Sequence, residues 1–61
     1  MCESSVYMKE GDAERLIHAD VVLIRQTAGG IYLEDVLGRS RQITGSIELI
    51  DLIHHRVIVT T

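Results

Sequence analysis

A single cysteine, at position 2, sets the tightest limit on how this chain can hold a fold together. One thiol cannot cross-link the chain to itself, and it cannot close a cysteine-rich zinc site. The chain has 61 residues, a length at which folding buries only about 60% of the unfolded surface. Domains this small usually add a disulfide, a metal or a second subunit to their core. The cysteine count removes the first option. A single small domain over residues 1–61 is therefore expected to use a metal, oligomerisation or both.

The residue pattern is that of strands joined by tight turns. Residues 2–9 (CESSVYMK) alternate, with Val6 and Met8 on the face of Cys2 and Ser4 and with Tyr7 on the other. Gly11-Asp12 marks a turn. Residues 13–19 (AERLIHA) fit either a short helical turn or a strand. Residues 20–27 (DVVLIRQT) are rich in Val and Ile and read as a strand. Gly29-Gly30 offers the positive φ that a type I′ or II′ hairpin requires. Residues 31–37 (IYLEDVL) form the return strand, with Ile31, Leu33 and Leu37 on one face, which is either interrupted or shifted at Asp35.

Residues 40–52 (SRQITGSIELIDL) are long for one strand. Ile43, Ile47 and Leu49 share a face there, and Gly45 in their midst suggests a bulge or corner. Ile53-His54-His55 is the expected turn before a last strand at 56–60 (RVIVT). About five short strands with little helix predict an all-β fold, a bent barrel of the Sm-like or SH3-like kind. Runs such as Val21-Val22-Leu23-Ile24 and Leu49-Ile50 place apolar residues on both faces. A second subunit would cover the outer ones, so a homodimer is expected.

The net charge is −3. That balance argues against nucleic acid, whose affinity comes largely from Lys and Arg on phosphates. Arg39 and Arg41 are the nearest approach to a basic patch, with Arg25 and Arg56 elsewhere. Tyr7 and Tyr32 are the only aromatic residues available for base stacking. No secretory signal pattern and no apolar run near 18 residues is visible. The expected setting is cytoplasmic, where a lone thiol stays reduced.

Cys2 carries the most chemistry. Nickel(II) and copper(II) favour tetragonal sites built from nitrogen donors and thiolate. With Met1 retained, its amine, the Cys2 amide nitrogen and the Cys2 sulfur can form two fused chelate rings. With Met1 removed, Cys2 itself supplies amine and thiolate. One chain offers only two or three donors, and a two-fold dimer joining both chain starts would offer four or more. The other reading of Cys2 is a small, half-buried residue on the first strand.

The remaining candidates are weaker. His54 and His55 are adjacent, so on a strand they would face opposite ways, and a solvated turn suits them better. His18 stands alone. Glu34 and Asp35 also point to opposite faces, and Asp51 beside the last turn suits bonding to backbone amides. Ser4, Ser5 and Ser46 have no His or Lys at an informative spacing. Gly29-Gly30 lacks the helix and GK[ST] of a phosphate loop. No enzyme is expected.

The start MCESSVY at 1–7, the stretch ADVVLIRQTAGGIYLEDVLGR at 19–39 and the ending ITGSIELIDLIHHRVIVT at 43–60 resemble the CooT-type family of small nickel-binding proteins. The resemblance covers nearly the whole chain. It implies a five-stranded small barrel, a homodimer and nickel held through Cys2. It also implies a client such as carbon monoxide dehydrogenase. Members are also described as RNA-binding because of the Sm-like fold, so an RNA-binding module is the alternative. A dimer joined by a Cys2–Cys2 disulfide is the third reading, which a reducing cytoplasm disfavours.

Overall fold

A computed structural model describes residues 3–61. The described residues are all-β: β1 (Ser4–Glu10), β2 (Ala13–Thr27), β3 (Gly30–Asp35), β4 (Ser40–Ile43), β5 (Ser46–Asp51) and β6 (Arg56–Thr60). They form one six-stranded sheet in the order β4-β3-β2-β1-β6-β5. Only β1 and β6 pair in parallel; the other neighbours are antiparallel.

The sheet must curl because of its connectivity. β4 and β5 are the two edge strands, yet only Thr44 and Gly45 join them. Three Cα–Cα steps reach at most about 11 Å, so the edges are drawn together and the sheet becomes a half-barrel. This bears out an all-β bent barrel. The strand count is six rather than five, because residues 40–52 divide at Gly45.

Gly45 has φ 139°, and a Cβ there would collide with the Thr60 carbonyl oxygen. Gly30 has the same φ of 139° and would meet the Ile43 carbonyl oxygen. At these two positions backbone approaches backbone, which only glycine permits. The β2–β3 link is Ala28-Gly29. Positive φ falls on Gly30 after the link and on neither linking residue, so the turn is not of the primed type expected.

Residues 13–19, which fit either helix or strand, belong to β2 and extend it to 15 residues. β2 serves two partners: its first part pairs with β1, its second with β3, and Val21 pairs with both Ser4 and Asp35. Asp20, with φ 57°, turns the corner between them, a conformation that Asp tolerates better than most residues.

The concave face packs Val6, Met8, Ile17, Val21, Ile31, Leu33, Val57 and Val59, with Ile24, Ile43 and Ile47 at its margin. Two expected faces differ. Asp35 takes the buried position after Leu33, while Leu37 lies in the β3–β4 turn and is 74% exposed. Leu49 leaves the face of Ile43 and Ile47 because a register shift at Glu48 sets it opposite Ile58.

Candidate functional site

Asp35 is the one buried polar residue among those described, at 2% exposure. β3 ends on it, and alternation from Ile31 and Leu33 turns its carboxylate inward. Four donors meet it. Oδ1 accepts the Leu37 amide at 3.0 Å and the Arg39 amide at 2.9 Å. Oδ2 accepts Arg39 Nε and His18 Nε2, each at 2.9 Å. Burial alone would raise the Asp35 pKa. The bonds from His18, Arg39 and Leu37 outweigh it and hold the group at about 2. An ionised carboxylate only accepts, so His18 Nε2 carries the shared hydrogen.

This cluster floors a pocket of about 290 Å³ lined by Ile17, His18, Ala19, Asp20, Asp35, Arg39 and Arg41. Arg41 projects from β4 toward β2 and donates from Nη1 to the Ile17 carbonyl at 2.6 Å. The Val36 amide donates to the Asp20 carbonyl at 2.9 Å, tying the β3–β4 turn to the β2 corner. His18 is thus the partner of Asp35, and the break that Asp35 makes in an apolar face was the signal pointing here.

The other candidates settle into structural places. Asp51 Oδ1 accepts the amides of Ile53 and His54, and its Oδ2 meets His54 Nδ1 at 2.8 Å. His54 and His55 are exposed in the β5–β6 turn, as expected. Glu34 accepts the Tyr32 hydroxyl at 2.9 Å. Each tyrosine carries an arginine over one ring face, Arg25 on Tyr32 and Arg56 on Tyr7, at 5.7 and 5.5 Å. That leaves poorer platforms for bases. No cluster of three or more His, Cys, Asp or Glu among the described residues could hold a metal.

Cys2 lies outside the described residues. The surroundings of the start of β1 are described. On one side β2 runs on from Val21, the partner of Ser4, into Val22 and Leu23, both exposed. On the other side the Ser5 amide donates to the His55 carbonyl at 2.9 Å, in the turn that carries Leu52 and Ile53. Ile53 is 84% exposed. The strand and the turn beside the start of β1 thus carry exposed Val22, Leu23, Leu52 and Ile53, with exposed His54 and His55 in the same turn.

The family model for "CO dehydrogenase accessory protein CooT" matches residues 1–60. The chain belongs to the CooT family. Among solved structures it is similar to a protein described as CooT from Carboxydothermus hydrogenoformans, with 30% identity and a TM-score of 0.91. That match covers 97% of this chain and 95% of the other. No curated protein matches significantly. The family is described as accessory to CO dehydrogenase. No helix is long and apolar enough to cross a membrane among the described residues.

Proposed function

We propose that this CooT-family chain is a nickel carrier for the maturation of a nickel enzyme such as CO dehydrogenase. Two copies would join at their chain starts and hold the ion through Cys2 thiolate and N-terminal nitrogens. The observation that carries this reading is the placement of the lone cysteine. It precedes Ser4 by two positions, and the start of β1 is flanked by exposed Val22, Leu23, Leu52 and Ile53. Apolar side chains around a chain start favour pairing with a second copy. Near a two-fold axis each residue meets its own counterpart, which doubles the donor set. Thiolate with amine or amide nitrogen suits the tetragonal preference of nickel(II).

Titration of nickel(II) into the wild type and Cys2→Ser tests the proposal. The wild type should take about one ion per pair of chains, with thiolate-to-metal charge-transfer absorbance. Affinity should rise with pH, because the thiol must lose its proton to bind. Equal uptake by Cys2→Ser would reject it. Salt-sensitive RNA binding that survives Cys2→Ser would favour the RNA-binding alternative instead.

A further inference from the structure

The pocket beside the β2 corner holds two guanidinium groups whose hydrogen-bonding capacity is only partly used. Arg39 gives Nε to Asp35, and its two Nη groups make no hydrogen bond among the described residues. Its side chain is 70% exposed. Arg41 gives Nη1 to the Ile17 carbonyl and makes no ion pair among the described residues. Each cation is thus anchored at one nitrogen with further N–H groups free, a preorganised arrangement for an oxyanion.

The same geometry argues against a metal cation here. Both Asp35 oxygens already accept two donors each, so the carboxylate has no free lone pair to offer. The charge balance then selects among anions. Arg39 and Arg41 line the pocket together with Asp35 and Asp20, so two carboxylates offset the two guanidinium groups. Such a site suits a singly charged, planar group better than a dianion.

We propose that this pocket binds a carboxylate, either of a free small acid or of a protein partner's chain. The proposal does not depend on the nickel reading. Val36 and Leu37, exposed in the turn between Asp35 and Arg39, would offer apolar surface to whatever carries the carboxylate.

The test is a titration with acetate, at pH 7.5 and constant ionic strength with chloride as control, followed by nitrogen–proton NMR including the arginine Nε–H signals. A short peptide with a free C-terminal carboxylate forms the second arm. Saturable shifts at Arg39, Arg41 and His18 are expected. Arg41→Gln should weaken them about tenfold, the scale of a charged hydrogen bond. Asp20→Asn, which removes a repelling charge, should strengthen them. Tighter binding of the peptide assigns the site to a protein partner, and equal binding to free acids. Responses no different from chloride would overturn the proposal, as would tighter binding of inorganic phosphate than of acetate, or saturation indifferent to both Arg41→Gln and Asp20→Asn.

Discussion

A carboxylate taken out of water is destabilising unless its lone pairs find donors. Asp35 finds four, from two backbone amides of its own turn and from Arg39 and His18. The consequence is a direction of acid sensitivity. Its pKa in the fold is about 2 against an ordinary 3.8, so the unfolded chain binds this proton first. The stabilisation is complete above 3.8 and fades as pH falls from there toward 2. Asp51, held low by the His54 amide and ring, acts in the same sense. Asp35→Asn should be clearly less stable than wild type at pH 7. In urea unfolding the gap should narrow as pH falls from 3.8 toward 2; a gap that stays constant would show that the charge of Asp35 is immaterial. The sequence showed a polar break at Asp35 in an apolar alternation, without deciding whether the inner face was interrupted or shifted there. Its partners were not visible, since Leu37 was assigned to the strand and His18 lies on another element, and no local pattern links them.

At the scale of elements, two close backbone approaches fix where strands end. Gly30→Ala and Gly45→Ala should each destabilise by about 1–3 kcal/mol, from a disfavoured φ and a clash with a carbonyl. Gly29→Ala meets open space without a positive φ, and should be neutral or stabilise by about 0.4–1 kcal/mol. Thermal unfolding of the three variants would check this ordering, and equal losses would refute it. The sequence pointed to Gly45 as a bend and to both glycines of the hairpin, but not to which one carries the positive φ. Register shifts were invisible for a related reason. A bulge adds one residue and reverses the facing of everything after it. Such a shift between Val6 and Tyr7 on β1, passing Ile17 of β2, buries Ile17 while Leu16 remains exposed beside Tyr7. Simple alternation cannot anticipate that.

For the whole molecule, the apolar rim at the start of β1 carries the expectation of a dimer. Ile53→Glu and Leu52→Lys should raise the dissociation constant of the proposed dimer by about 30-fold, the scale of an interface anchor. Sedimentation at several concentrations would read the change, and unchanged association would move the interface elsewhere. The all-β architecture was legible from strand-forming runs and turn glycines. The strand order was not, because which strands become neighbours depends on packing at long range.

That order has a consequence for how the molecule is made. β1 lies between β2 and β6 in the middle of the sheet, and β6 follows the other five described strands in the chain. On a ribosome β1 can find β2 early, but its other side stays open until Val57 and Val59 emerge to cover Val6 and Met8. The nascent polypeptide therefore carries an unsealed core until residues 56–60 are free to pair, so the sheet closes only after the five earlier strands have been made.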